Sequence, residues 1–86
     1  MNTAWLLTGS NIGTREDYLS AAKREIALQC GTVQKQSSIY ETAAWGKTDQ
    51  PAFLNQALEI MTPLNARQLI RRLLKIEKQL GRIREE

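Results

Sequence analysis

The chain has 86 residues, 42% hydrophobic and 24% charged, with a net charge of +3, which suffices for one small domain with a thin core. Histidine is absent and Cys30 is the sole cysteine, so imidazole catalysis, imidazole metal ligation and a disulfide framework within the chain are excluded. No apolar run approaches the ~20 residues of a membrane-spanning helix, and no basic region precedes the first apolar run as in a secretory signal, so the cytoplasm is the expected compartment.

Ala4-Trp5-Leu6-Leu7-Thr8 predicts a short buried strand, closed by Gly9-Ser10-Asn11 as a turn. Thr14 is the expected N-cap of a helix, with Asp17 three residues on as a weak capping box. Leu19, Ala22 and Ile26 recur at helical spacing and predict a helix from about Arg15 to Gln29. Cys30 is expected to pack as a small apolar residue at its end, and Gly31 to supply the left-handed residue that often follows a helix.

Thr32 to Thr42 is rich in Thr, Val, Ser, Ile and Tyr and predicts one long strand, with Val33, Lys35, Ser37 and Ile39 on one face. Phe53 to Thr62 predicts another. Its alternation puts Leu54, Leu58 and Ile60 on one face and Phe53, Asn55, Ala57 and Glu59 on the other. After Pro63-Leu64, Asn65 is the expected N-cap of a second helix, with Gln68 completing the box. Leu69, Leu73, Ile76 and Leu80 form its apolar stripe, and Gly81 is expected to end it, leaving Arg82-Ile83-Arg84-Glu85-Glu86 as a tail.

The order strand, helix, strand, strand, helix predicts an α+β fold: an antiparallel sheet with both helices on one face. The ferredoxin-like version of this order carries one further strand after the second helix, which these 86 residues do not contain. The missing strand would leave a sheet edge free, and free edges invite pairing with another chain, so self-association there is expected.

Three places in the sequence suggest chemistry. Between the two long strands, residues 43–52 form a loop carrying Trp45, and loops on a rigid sheet are where binding residues concentrate. Trp45 is either an anchor folded onto the sheet or a wall for a flat ring. Phe53 and Asn55 leave that loop on one strand face, the first able to stack and the second able to give and accept hydrogen bonds, a pairing suited to a planar heterocycle with amide-like edges. Arg82 and Arg84 offer guanidinium groups that match phosphate geometry, although on physical grounds alone a frayed charged tail is the favoured reading. The basic residues from Arg67 to Arg84, set against Glu77, leave a polyanion-binding module or a ligand-free oligomerisation domain as alternatives. The scarcity of aromatics on the sheet speaks against the reading of RNA, and no nucleic-acid partner is expected.

Four segments in order carry a more specific signal: Leu7-Thr8-Gly9-Ser10-Asn11, Ser38-Ile39-Tyr40-Glu41-Thr42, Asp49-Gln50-Pro51-Ala52-Phe53-Leu54-Asn55, and Ile76-Glu77-Lys78-Gln79-Leu80-Gly81-Arg82-Ile83-Arg84. With these the chain resembles the first half of the 6-hydroxymethyl-7,8-dihydropterin pyrophosphokinase family. The resemblance implies a ferredoxin-like fold and transfer of diphosphate from ATP to a reduced pterin in folate biosynthesis, releasing AMP. It implies pterin contacts at Thr42, Ala43, Trp45, Phe53 and Asn55. It implies ATP contacts at Glu77, Arg82 and Arg84, the two arginines on a mobile catalytic loop with Arg82 catalytic. It further implies Mg2+ held by an acidic pair that the family carries beyond the matched segments. No such pair stands in this chain, so residues 1–86 are expected to form a single truncated domain, the N-terminal part of the family's domain, with negligible transfer activity by itself.

Overall fold

The computed structural model describes residues 1–10, 14–43 and 52–85, with the backbone alone for 81–85. The elements in chain order are β1 (Asn2–Ser10), α1 (Arg15–Gln29), β2 (Thr32–Gln36), β3 (Tyr40–Thr42), β4 (Phe53–Thr62) and α2 (Ala66–Glu85). β4 is the hub. β1 lies antiparallel along one side of it, and β2 and β3 lie antiparallel along the other. Both helices cover one face of the sheet, which is the expected α+β, ferredoxin-like arrangement.

The alternation of β4 sorts the molecule into two faces. Leu54, Gln56, Leu58, Ile60 and Thr62 are buried, whereas Phe53, Asn55, Ala57, Glu59 and Met61 remain wholly or partly open. Leu58 and Ile60 meet Ala22 and Ile26 of α1 and Leu69, Ile76 and Leu80 of α2 in one cluster, so both apolar stripes read from the sequence are the stripes that pack. Fully burying an aliphatic side chain of this size stabilises by about 1.5–3 kcal/mol.

The start of α2 is capped as its sequence predicts. Asn65 Oδ1 accepts from Gln68 N, and Gln68 Oε1 accepts from Asn65 N, each at 2.9 Å. At α1, by contrast, Thr14 holds the N-cap position without a side-chain cap bond. Glu16 and Asp17 in the first turn supply negative charge that the helix N-terminus favours.

Several boundaries differ from the sequence reading. Gly9 and Ser10 continue β1 opposite Asn55 and Leu54 and do not turn. The single strand expected over 32–42 is two. A bulge between Val33 and Lys35 sets Val33 opposite the buried Ile60 and Lys35 opposite Glu59, on the other face. Ser37 then interrupts the ladder. Its N–H still donates to Ala57 O at 2.9 Å, but its hydroxyl accepts Ala57 N and its carbonyl accepts Gln56 Nε2, both at 2.9 Å, so side chains take over one half of the backbone exchange at the break.

Gly31 is required for closeness and not for a left-handed turn, since its φ lies outside the positive range; a Cβ there would lie 2.9 Å from Thr62 Cα and closer still to Met61 O. Beside it, buried Thr62 donates to Cys30 O and accepts from Leu64 N at 3.1 Å, tying the end of α1 to the end of β4. Cys30 is buried as expected, and burial pushes its thiol pKa up, partly opposed by the nearby Arg72 guanidinium. Finally, α2 runs through Gly81 to Glu85, so Gly81 does not end it and the backbone of Arg82 and Arg84 is helical rather than a loop.

α2 presents distinct sides. Its stripe Leu69, Leu73, Ile76 and Leu80 faces the core. Arg72 reaches the end of α1, donating to Gln29 O at 2.7 Å. Helical spacing places Arg67, Arg71, Lys75 and Lys78, all exposed, on the side opposite the core. No helix among the described residues is long and apolar enough to cross a membrane.

Replacing Gly31 by Ala is expected to lower stability by about 1–3 kcal/mol, because the obstructing atoms are backbone and must move together. Chemical denaturation of the variant against the unaltered chain measures this; equal midpoints would refute it.

Candidate functional site

Register brings together what sequence spacing alone only suggested. Tyr40 stands opposite Asn55, Thr42 opposite Phe53, and Gly9 opposite Asn55 from the other side. Directly opposed residues of an antiparallel pair share a face, so Thr42, Phe53, Asn55, Tyr40 and Gly9 meet on the open face, at the end of the sheet where β3 runs into the loop and β4 leaves it. Phe53 is 37% exposed. Ala43, next in the chain after Thr42, is exposed. Trp45 lies outside the described residues.

The Asn55 carboxamide is held by Thr42 on one side and given room by Gly9 on the other. Its Nδ2 donates to Thr42 Oγ1 at 2.9 Å. A Cβ on Gly9 would stand 2.7 Å from its Oδ1. Gly9 therefore shapes the site by what it lacks, a role that its reading as a turn residue missed. Among the described residues, with Nδ2 engaged by Thr42, the carboxamide oxygen, the second amide hydrogen and the Thr42 hydroxyl hydrogen stay available for further bonds. This row of donor and acceptor groups beside an aromatic ring suits a flat heterocycle with a lactam or amidine edge.

One further residue supports these stems. Arg15, the first residue of α1, donates from Nη1 to Glu41 Oε2 at 3.2 Å and also to the carbonyl of Ala52. Neither contact was foreseen from the sequence, because nothing in local spacing links position 15 to positions 41 and 52.

Glu77 is not brought to this group. It lines a cleft of about 320 Å³ on the helix side of β1, together with Leu6, Tyr18, Leu73, Leu74 and Leu80. The cleft runs along β1 as far as Gly9, so its end adjoins the strand pair that carries Asn55 while its body lies across the sheet from Phe53. The side chains of Arg82 and Arg84 lie outside the described residues. Among the described residues no three His, Cys, Asp or Glu side chains come together. They do not fit a Mg2+ site.

The chain is thus an α+β domain, two helices on one face of a sheet whose open end bears an aromatic ring, a carboxamide and a hydroxyl. The chain belongs to the 7,8-dihydro-6-hydroxymethylpterin-pyrophosphokinase family, whose model matches residues 5–86. It is 48% identical over 85 residues to a 2-amino-4-hydroxy-6-hydroxymethyldihydropteridine pyrophosphokinase of Bacillus subtilis (strain 168), covering 98% of this chain and 51% of that protein. The likeness to the protein of the same name in Methylorubrum extorquens is 43% over 86 residues, covering 99% and 54%. A folate synthesis bifunctional protein of Arabidopsis thaliana is 40% identical over 74 residues, covering 86% and 15%. The chain thus spans about half the length of the bacterial relatives it matches.

Replacing Gly9 by Ala is expected to displace the Asn55 carboxamide from Thr42 while costing less than about 1 kcal/mol, since the obstructing atom ends a flexible, partly exposed side chain. Side-chain amide NMR signals of Asn55 check the displacement; unchanged signals would contradict it.

Proposed function

We propose that this chain supplies the pterin-binding half of a folate-biosynthesis pyrophosphokinase, a transferase that moves diphosphate from ATP to 6-hydroxymethyl-7,8-dihydropterin and yields AMP. The observation that carries the reading is the placement of Phe53, Asn55 and Thr42 together on the open sheet end. Family membership and the names of the relatives support it. In this reading the Phe53 ring stacks on the bicyclic substrate, and the Asn55 carboxamide and Thr42 hydroxyl read its polar edge. Ala43 and Trp45 complete the pocket from the loop. Holding a substrate in one orientation is itself a large part of catalysis by transferases of this kind.

ATP contacts are proposed at Glu77, Arg82 and Arg84, with Arg82 acting on the phosphates. The support is chemical: guanidinium groups match phosphate oxygens in pairs, and these positions lie in the last turns of the basic helix α2. Because the described carboxylates form no cluster, the 86-residue chain by itself is proposed to bind pterin without appreciable transfer.

Titration of the purified chain with 6-hydroxymethylpterin, followed by the polarisation of the pterin's own fluorescence, is expected to saturate. Phe53→Ala and Asn55→Ala each weaken binding by about tenfold, the effect of losing one good contact. Saturation that both variants leave unchanged would refute the site, and brisk AMP formation by the chain alone would refute the division of labour.

A second proposal concerns the sheet edge. Among the described residues β1 pairs only with β4; it spans nine residues and carries no charge or proline, the devices that usually block edge pairing. Trp5 and Leu7 on it are 71% and 68% exposed. Self-association through this edge follows, and light scattering across a concentration series is expected to show mass rising above the monomer. Introducing a charge with Leu7→Lys should abolish the rise; a constant monomer mass in the unaltered chain argues against it.

A further inference from the structure

We propose that Arg15 is a positioning residue for the ligand site, one guanidinium that fixes both ends of the loop between β3 and β4. The inference rests on the pterin-binding reading for its consequence and on geometry for its substance. β3 is only three residues long and each of them is exposed, so three strand pairs are all that the sheet contributes to holding it. Yet β3 carries Thr42, the partner that sets the Asn55 carboxamide. Arg15 adds what the short ladder lacks. From the first turn of α1 it reaches Glu41, beside Thr42, and the carbonyl of Ala52, beside Phe53. Its two partners are therefore the neighbours of two site residues, one on each strand.

The two contacts are unequal. The ion pair is open to water, with the side chains of Arg15 and Glu41 27% and 58% exposed, and exposed pairs of this kind hold weakly. The bond to the Ala52 carbonyl is partly buried and made by a charged donor, which makes it the stronger member. The carbonyl contact thus locks the start of β4 to α1, and Glu41 steers the guanidinium into place. Among the described residues Arg15 bonds to Glu41 and Ala52 and to no residue of the proposed pterin face, so its influence passes through the stems.

The test uses the 86-residue chain and the variants Arg15→Ala, Arg15→Lys and Glu41→Gln. Amide hydrogen exchange is followed at residues 40–42 and 53–55, with Leu6 and Leu58 as references in the β1–β4 ladder. Arg15→Ala is expected to speed exchange at 40–42 by about tenfold and leave the reference amides unchanged, the pattern of a local opening. It should weaken 6-hydroxymethylpterin binding by about five- to tenfold without altering the thermal midpoint by more than a few degrees. Arg15→Lys, which keeps the charge but not the fork, should recover part of both effects. Glu41→Gln, which keeps an acceptor, should change either by less than about threefold. Unchanged exchange at 40–42, a uniform rise over the whole sheet, or a local rise with pterin affinity intact would each overturn the proposal. If the unaltered chain binds no pterin, the site reading falls, and exchange at 40–42 then decides the role of Arg15 by itself.

Discussion

Everything in this molecule is arranged around the two-residue period of β4. Among the described residues the strand is the sole partner of β1, of β2 and of β3, so its alternation is imposed on all of them. Leu58 and Ile60 point to the helices and bind the two apolar stripes into one core, and that same orientation forces Phe53 and Asn55 outward. A slip of one residue would exchange the faces, burying the carboxamide and exposing the core. Core and candidate site are thus specified by one constraint, and the burial of several aliphatic side chains outweighs any local preference of the polar ones.

The site also depends on closeness between neighbouring strands. Gly9 lets β1 lie beside the Asn55 carboxamide, the hydroxyl of Thr42 meets it from β3, and the break at Ser37 separates β3 from β2. Without that break, β3 would continue the register of a strand already shifted by a bulge. The interruption gives the last three residues their own alignment, in which Thr42 faces outward opposite Phe53.

The sequence disclosed the elements governed by strong periodic patterns. The stripes of α1 and α2, the alternation of β4 and the Asn65–Gln68 cap need only local spacing, and they stand where spacing puts them. Phe53 and Asn55 were legible for the same reason, since two residues apart on a strand fixes a shared face. What escaped depends on partners distant in the chain. Gly9 and Gly31 looked like turn punctuation, yet both are defined by atoms of β4. The split at Ser37 arises from side-chain bonds to Gln56 and Ala57. Arg15 meets residues 26 and 37 positions away. The helix persisted through Gly81 because a glycine inside a helix costs only about 1 kcal/mol, which the cooperativity of a long helix absorbs.

The outward side of α2 bears on how this molecule behaves in a crowded solution. Arg67, Arg71, Lys75 and Lys78 point away from the core, so each molecule meets its neighbours with a positive flank. That long-range repulsion acts between whole molecules and not only between single side chains. It is also the force that dissolved ions shorten to about 10 Å at 0.1 M. Ionic strength therefore acts as a colloidal control: dilute buffers let the positive flanks keep copies apart, and concentrated ones weaken that repulsion.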